Sequence, residues 1–521
     1  MGNLIGRHFV ETNLTSNVVK IASGEIVGKK FDVGDGRFVD AFLGIPFAKA
    51  PVGELRYQKP QAPDSWDNIR ECKKHGPRAP QKTLVLEKLS MRIPSNEDCL
   101  YLNVFAPEPL TGDGRAVMVF VHGGGFAMHT SANYGDFGDE NCIPNLGLWD
   151  QTFALHWVKD NIRAFGGNPD NMTVFGQSAG AASVDMLCVS PHSRDLFNKV
   201  VAMSGSAYCE WATNTADNIV GEAMKRAKAH GWSPPKNGSD EEIKRSLMEF
   251  LKKEPCEHLS LGIIPARKKL SRQGGLIFVP IIDGDFLPEP IAELRKKIPK
   301  KLCMTGTTEL EGLLFTALGG PQFKLGRLKQ LIPDRITQHH FADYEQLRKE
   351  ALSLYMKNGD SKKQSSYGYV KLLSDLYITN AVHDFAEDMN AAGHTVYLYS
   401  FEHCNSNDFG LVKCLFPFKA STHATELPYL FAHGLIAPFK PNEADKKVVE
   451  NFTTLFTNFA KYGDPNGVDG KKLWEPLSEN DTYKYLCIKE TMTMKNNYEE
   501  RRATFWRNLK NRQENSTDVL Y

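Results

Sequence analysis

The sequence has no excess of charge, no long apolar run and no cysteines at metal-binding spacing. Its 63 basic and 62 acidic residues leave a net charge of +1 over 521 residues, which argues against a nucleic-acid partner. The longest apolar run, residues 116–121, has the length of a strand, whereas a membrane span needs roughly 18 residues. Ten cysteines without a C-x-x-C pair predict neither a zinc site nor a disulfide framework.

The N-terminal residues also lack the continuous apolar segment of a secretory signal, so we expect a cytoplasmic protein. Gly2 invites a myristoylation hypothesis, but Gly6 stands where the usual motif has Ser or Thr. A secreted or peripheral membrane protein is the alternative if the N-terminus is misassigned or lipidated. We expect residues 1–16 to form an extension and residues 17–521 a single domain, because neither a repeat nor a clear linker divides them.

Strand-like apolar runs alternate with helical stretches along most of the chain. Residues 17–60 are rich in turns and predict short antiparallel strands, and residues 148–165 have a helical spacing of apolar residues that Gly166 and Gly167 end. Residues 209–270 and 320–380 predict mostly helical insertions. Further strands are predicted at residues 100–105, 116–121, 172–175, 200–203, 279–282, 301–304 and 396–401. This alternation is typical of an α/β fold with a large, mostly parallel sheet and helices on both faces.

The pentapeptide Gly176–Gly180, GQSAG, fits a nucleophile elbow. An apolar run precedes it and a stretch rich in small residues follows it, so strand, G-x-S-x-G and helix occur in the required order. The sharp turn needs small residues on both sides, which Gly176 and Gly180 supply. Ser178 would then lie at a helix N-terminus, where the helix dipole stabilises developing negative charge.

A triple glycine follows the predicted central strand at residues 123–125, directly after His122. Its backbone N–H groups have no side chain to block a carbonyl oxygen. The amides of Gly124, Gly125 and Ala179 would form a three-donor oxyanion hole, and this H-G-G-G loop accompanies the elbow in lipases and esterases.

A serine nucleophile needs a base and an acid that orients it, and in this fold both follow the serine in the order acid, then histidine. Glu311 comes directly after a predicted strand, and His423 lies in the segment STHATELP. The residues alone leave open which of the 15 histidines serves, because a single histidine is more often structural.

Long stretches spread from end to end of the chain match one known family. They are FLGIPFAKAPVGELRY, EDCLYLNVFAP, FVHGGGF, NLGLWDQTFALHWVKDNIRAFGGNPDNMTVFGQSAG, SPHSRDLF, MSGSA, GTTELEG, HATELPYLF and NFAKYGDPNG. In these stretches the chain resembles the type-B carboxylesterases, which include cholinesterases, juvenile hormone esterases and neuroligin. The resemblance implies an α/β-hydrolase fold and a serine carboxylesterase, with Ser178 as nucleophile, His423 as general base and then acid, and Glu311 holding the imidazole. It also implies a small-molecule ester substrate and no cofactor or metal.

Departures from the cholinesterase pattern favour small to medium apolar esters over choline esters. Gln177 stands where cholinesterases carry glutamate, and the loop from Cys72 to Cys99 holds no tryptophan for cation–π binding of a quaternary ammonium. By resemblance, Phe126, Gln177 and Trp211 line the substrate pocket, although Trp211 is also compatible with a buried core aromatic. Secreted relatives bridge the cysteines that match Cys72 and Cys99, and a cytosolic protein would keep them mostly reduced.

The interval from Gly125 to Ser178 is 53 residues, and in the family it is longer by about 25–30 residues, enough for one strand and its connection. We therefore expect the sheet to lack one interior strand, between Phe126 and Gly138. Either the sheet closes with a changed register, or the sequence is a splice form or a faulty gene model, and we favour the latter. The alternatives to an active esterase are a catalytically silent binding or adhesion relative and an isoform that the missing strand inactivates.

Overall fold

The computed structural model describes residues 10–81, 94–108, 114–127, 143–260, 276–318, 324, 328–356, 362–432, 434, 437–468 and 472–514. The strands are β1 (Val10–Thr15), β2 (Val19–Ile21), β3 (Gly24–Val27), β4 (Lys29–Asp32), β5 (Phe38–Pro46), β6 (Arg70–Glu71), β7 (Tyr101–Pro107), β8 (Arg115–Val121), β9 (Gly167–Gln177), β10 (Lys199–Met203), β11 (Leu302–Thr308), β12 (Thr395–Phe401), β13 (Tyr485–Ile488) and β14 (Thr493–Lys495).

The helices lie mostly between the strands of the second half of this series, as an α/β fold requires. They are α1 (Leu146–Asn161), α2 (Ala179–Val189), α3 (Ala216–Ala229), α4 (Asp240–Lys253), α5 (Cys256–Leu259), α6 (Ile291–Arg295), α7 (Gly312–Leu318), α8 (Leu328–Arg335), α9 (Tyr344–Tyr355), α10 (Lys362–Ser374), α11 (Asn380–Ala391), α12 (Leu427–Phe431), α13 (Glu443–Tyr462) and α14 (Arg502–Glu514). Among the helices that the structure describes, none is both long and apolar enough to cross a bilayer.

In the described part of the chain, the central sheet has seven strands in the order β14-β13-β12-β11-β10-β9-β8. Every neighbouring pair is parallel except β13 and β14 at one edge. The expected large, mostly parallel sheet is confirmed. The parallel register brings the carboxyl ends of β9, β10 and β11 to the same edge, because Gln177 pairs with Met203 and Met203 with Gly306.

Alternate residues of the sheet strands enter two different apolar cores. On β9 and β10, Val174 and Val200 face one core, which contains α1, α2 and α11, whereas Phe175 and Val201 face the other, which contains α13. This alternation follows from the two-residue period of a strand. The expected helices on both faces of the sheet are therefore confirmed.

The β-structure is divided into separate sheets next to β8. A second sheet has four antiparallel strands in the order β1-β4-β5-β7. Within the described residues, β7 and β8 each lie at an edge of their sheet, and each exposes a phenylalanine, Phe105 at 58% and Phe120 at 36%. These two strands are not paired with each other in the described part of the chain. The stretch in which we expected a missing strand, between Phe126 and Gly138, lies outside the described residues from residue 128 onward.

Val10–Thr15, inside the expected N-terminal extension of residues 1–16, form β1 and pair with β4. One expectation from the sequence is wrong. Residues 279–282 do not form a strand. Their backbone bonds elsewhere: the side chain of Asn145 both accepts from Ile281 N–H and donates to its carbonyl, while Asn214 N–H donates to Pro280.

Candidate active site

Ser178 lies at the sharp turn between β9 and α2, with φ 60° and ψ −126°. A residue other than glycine in such a region costs of order 1–3 kcal/mol and persists only when its surroundings hold it. Here Ser178 N–H donates to the carbonyl of Met203 on β10 at 2.9 Å, and Ala182 N–H donates to the Ser178 carbonyl at 3.0 Å. The elbow is thus held by the neighbouring strand and by the first turn of α2.

Close backbone contacts explain the glycines around the elbow. A Cβ on Gly176 would lie 2.4 Å from the carbonyl oxygen of Gly180, and one on Gly180 would lie 2.2 Å from that of Val121. A Cβ on Gly205, after β10, would lie 2.5 Å from the carbonyl oxygen of Ser178. Larger residues would push the turn away from the strands on both sides. The close packing of the main chain therefore requires glycine at these positions.

Ser178, His423 and Glu311 form a continuous chain of hydrogen bonds. The Oγ of Ser178 lies 2.8 Å from Nε2 of His423, and Nδ1 of His423 lies 2.6 Å from Oε2 of Glu311. The imidazole is mostly buried, with 8% exposed, and the Glu311 side chain is fully buried. Since a carboxylate can only accept, Nδ1 carries the proton in the neutral ring and Nε2 presents a lone pair to Ser178.

The other carboxylate oxygen of Glu311 is also hydrogen-bonded. Oε1 accepts from the Thr308 N–H at 2.7 Å and from the hydroxyl of Ser204 at 2.6 Å. The segment that carries His423 is tied to the Glu311 segment by main chain, because Leu310 N–H donates to the carbonyl of Ser421 at 3.0 Å. These bonds fix both the carboxylate and the distance between the two loops.

Sequence reasoning gave no role to Ser204 or Glu426. Ser204 lies between two buried carboxyl groups: Oε1 of Glu426 is 3.5 Å from its Oγ, and Glu311 is on the other side. Burial, and secondarily the charge of Glu311, raise the pKa of the Glu426 carboxyl well above its ordinary value. Ser204 follows the carboxyl end of β10, which pairs with the elbow strand β9. From this position the sequence could have predicted that Ser204 lies near the site. Glu426, three residues after His423, offered none.

The glycine loop passes directly over the elbow. A Cβ on Gly123 would lie 2.6 Å from the carbonyl oxygen of Gln177 and 3.1 Å from Cβ of Ser178. Gly124 and Gly125 have φ of 121° and 61°, and Phe126 after them also has a positive φ, 54°. The loop therefore brings main chain close to the serine in a conformation that favours glycine.

Two further side chains contact the imidazole. Nε2 of His423 lies 3.4 Å from Nε2 of Gln177, which is buried, and the ring of Phe315 on α7 packs against the imidazole at a centroid distance of 5.2 Å. Gln177 was expected at the site and lies there. Phe315 was missed, because helical spacing alone does not distinguish it from a core residue.

Phe126 and Trp211, both expected to line the substrate pocket, contact each other at a centroid distance of 6.2 Å. Both are buried, and the indole N–H of Trp211 donates to the carbonyl of Tyr377 at 2.7 Å. Trp211 therefore has the burial of a core aromatic as well as contact with the residue that follows the glycine loop.

Cys72 is buried and Cys99 is half-buried, and a bridge between them stays a prediction. Burial raises the pKa of the Cys72 thiol to about 11. A thiol with such a pKa is a poor nucleophile for disulfide exchange at neutral pH.

Comparisons with known proteins agree with this geometry. The family model described as the carboxylesterase family matches residues 15–138 and 135–506. The chain is 36% identical over 560 positions to esterase cest-33 of Caenorhabditis elegans, covering 100% of this chain and 99% of that protein. It is 30% identical to the cholinesterase of Mus musculus, covering 94% and 86% of the two chains, and 28% identical to the medium-chain fatty acyl-CoA hydrolase precursor of Anas platyrhynchos, covering 91% and 88%.

The match to the family model is divided into two segments. The two segments of the family match meet at residues 135–138, within the stretch where we expected a strand to be missing. The alignment with the C. elegans esterase needs 560 positions for a chain of 521 residues, so that relative has residues that this chain lacks. Together the two segments of the family match run through nearly the whole sequence. The chain therefore belongs to the carboxylesterase family of carboxylic ester hydrolases.

Proposed function

We propose that this protein hydrolyses small to medium apolar carboxylic esters through an acyl-enzyme on Ser178. The observation that carries the proposal is the hydrogen-bonded chain from Ser178 Oγ through His423 to Glu311, with distances of 2.8 and 2.6 Å. Both lie within hydrogen-bond reach, which a nucleophile and its base require.

The steps of the reaction follow from the positions of the protons in the hydrogen bonds that join Ser178, His423 and Glu311. His423 accepts the Ser178 proton at Nε2 as Oγ attacks the ester carbonyl, and Glu311 stabilises the imidazolium through Nδ1. The imidazolium then gives its proton to the departing alcohol, which leaves an acyl-serine. Water activated by His423 attacks the acyl group, and the acid is released with Ser178 restored.

The oxyanion of each tetrahedral intermediate is assigned to the amides of Gly124, Gly125 and Ala179. The support is that the glycine loop passes against Ser178 and that Ala179 opens α2, whose N-terminus favours negative charge. Preorganised donors of this kind contribute about 2.7–4 kcal/mol each.

The apolar preference rests on the neutral side chain of Gln177 beside His423 and on the aromatic pair of Phe126 and Trp211. An alkyl or acyl chain fits such walls, whereas a quaternary ammonium has no carboxylate partner at Gln177.

The test is hydrolysis of p-nitrophenyl acetate, butyrate and octanoate by the purified full chain, with Ser178→Ala as the matched control. Turnover that the control lacks is expected, with kcat/KM falling for the longest chain. Folded, monodisperse protein with no more turnover than the control would instead indicate the catalytically silent relative or the inactive isoform.

A further inference from the structure

A cluster of potential metal ligands lies far along the chain from the catalytic residues, where the helices of the first insertion end. It consists of His230, directly after α3, Glu254, directly after α4, and His258 on α5. One ligand atom from each residue can be chosen so that all three lie within 4.8 Å of one another. Two imidazoles and one carboxylate are a ligand set that divalent zinc binds in proteins, with a fourth position left to water.

The two imidazoles converge on the same carboxylate oxygen. Oε1 of Glu254 lies 2.7 Å from Nδ1 of His258 and 3.7 Å from Nδ1 of His230. Ligand atoms at a tetrahedral zinc ion are separated by roughly 3.3 Å, as the 2.0–2.1 Å bond lengths require. Each of these two carboxylate–imidazole distances differs from that value by about 0.6 Å or less, and the ligand atoms of the two imidazoles lie within 4.8 Å of each other, so side-chain rotations are needed to admit the ion.

The two imidazole rings lie nearly parallel, with an interplanar angle of 15° and a centroid distance of 4.9 Å. An ion that both rings bind must lie in both ring planes, so at least one ring turns when the ion enters. The side chain of Glu254 is only 13% exposed, whereas the histidines are more open, at 35% and 53%. The carboxylate is thus on the protein side of the cluster and the imidazoles are on the solvent side, which leaves an approach for a metal ion.

The main chain that carries Glu254 is fixed independently of the histidines. One guanidinium nitrogen of Arg56, Nη1, donates to the carbonyls of Leu251, Lys252 and Glu254 at 3.1, 3.0 and 2.7 Å, while Nη2 pairs with Glu97 at 2.6 Å. Arg56 is therefore neutralised by Glu97, and the Glu254 carboxylate is left to the imidazoles.

The helices behind the cluster pack against each other through apolar residues. Ala227 and Trp232, which flank His230, share an apolar core with Leu247 and Leu251 of α4. Ligands held by rigid elements lose little entropy when a metal binds. Two helix C-termini at the cluster, His230 after α3 and Glu254 after α4, add a partial negative charge that favours a cation.

We propose that His230, Glu254 and His258 form a binding site for a divalent transition-metal ion, with zinc as the best fit. The ion replaces the proton that His258 shares with Glu254 and links the end of α3 to the junction of α4 and α5. Its role is structural, since these residues take no part in the catalytic chain, and it stabilises the folded state because the unfolded chain does not hold the three ligands together.

The test is titration of the chelator-treated full chain with Zn²⁺ by calorimetry, followed by thermal unfolding with and without the ion. One ion per chain should bind at this site and raise the melting temperature. Glu254→Gln and His258→Ala should each weaken that binding by at least about tenfold, since even outer-shell partners cost 10–100-fold. His339→Ala, at another exposed histidine, is the matched control and should bind like wild type.

Circular dichroism of the metal-free variants shows whether they fold, so a lost site is distinguished from a lost fold. Co²⁺ as a spectroscopic substitute should give ligand-field bands without thiolate charge transfer, since the proposed ligands are two imidazoles and a carboxylate. Zinc affinity unchanged in both variants, no binding by the wild type, or a thiolate–cobalt band would each overturn the proposal.

Discussion

Replacing Glu311 with glutamine tests the assigned direction of the catalytic hydrogen bonds. The carboxylate accepts from Nδ1 of His423 on one oxygen and from Thr308 N–H and Ser204 on the other. Glutamine has only one accepting oxygen, so its amide NH₂ must face one of these donors. If it faces His423, the imidazole must move its proton to Nε2 and can no longer accept from Ser178.

The opposite orientation of the amide is also costly. Its NH₂ would then face the Thr308 N–H, a backbone donor that cannot turn away, and a buried donor left without an acceptor costs about 1–3 kcal/mol. Since both orientations of the amide are costly, the variant can adopt the one in which His423 carries its proton on Nε2. In a serine protease the equivalent acid-to-amide change lowers kcat about 10⁴-fold, which corresponds to about 5.4 kcal/mol of transition-state stabilisation.

The assay is kcat and KM for p-nitrophenyl butyrate between pH 6 and 9. For Glu311→Gln we expect kcat to fall about 10⁴-fold with little change in KM, because the loss is in the transition state. Glu426→Gln is the matched control: the same change on the neighbouring carboxyl, whose pKa burial raises, should leave kcat within about tenfold of wild type. A Glu311→Gln kcat within tenfold of wild type, or an equal loss in both variants, would refute the reasoning.

Three further outcomes follow from the same site. Gly123→Ala places a Cβ 2.6 Å from a carbonyl oxygen of the elbow and should lower kcat/KM about 100-fold in the same assay, with the fold intact by circular dichroism. Gln177→Glu adds a negative charge beside His423, which favours the imidazolium, and should move the acid limb of the pH–rate profile about one unit higher; an unmoved limb would contradict the contact. Because the pKa of Glu426 is raised in the folded state, the Glu426 carboxyl loses its proton at a lower pH in the unfolded chain than in the folded chain. The contribution of Glu426 to the free energy of unfolding therefore falls as pH rises above about 4.3, the ordinary pKa of glutamate. Glu426→Gln should therefore raise the melting temperature more at pH 8 than at pH 4.5, and the reverse order would refute the sign.

The sequence predicted the interior strands of the central sheet well because they are buried on both faces. Residues 200–203 and 396–401 are nearly continuous apolar runs, and both are strands. Residues 116–121, at the edge of the sheet, are also an apolar run that forms a strand. Residues 279–282 have the same composition but are not a strand, because the side chain of Asn145 and the main chain of Asn214 take their hydrogen bonds. Such distant partners cannot be read from a local pattern.

For the candidate site, too, some residues could be predicted from the sequence and others could not. The elbow and the glycine loop were predicted because their glycines meet main chain at under 3 Å, a requirement that is visible in sequence. The selection of His423 and Glu311 needed the family resemblance, since neither has a local signature. Glu426 and Phe315 were missed, because only the folded chain brings a second carboxyl to Ser204 and an aromatic ring to His423.

The most direct test of the central claim is the site of covalent labelling by a diethyl phosphoryl organophosphate. Intact mass should show one phosphoryl group per chain, peptide mapping should place it on Ser178, and His423→Ala should slow its attachment because the base is lost. Ser178→Ala should remain unlabelled. Folded wild-type protein that stays unlabelled, or carries the group on a residue other than Ser178, would contradict the account.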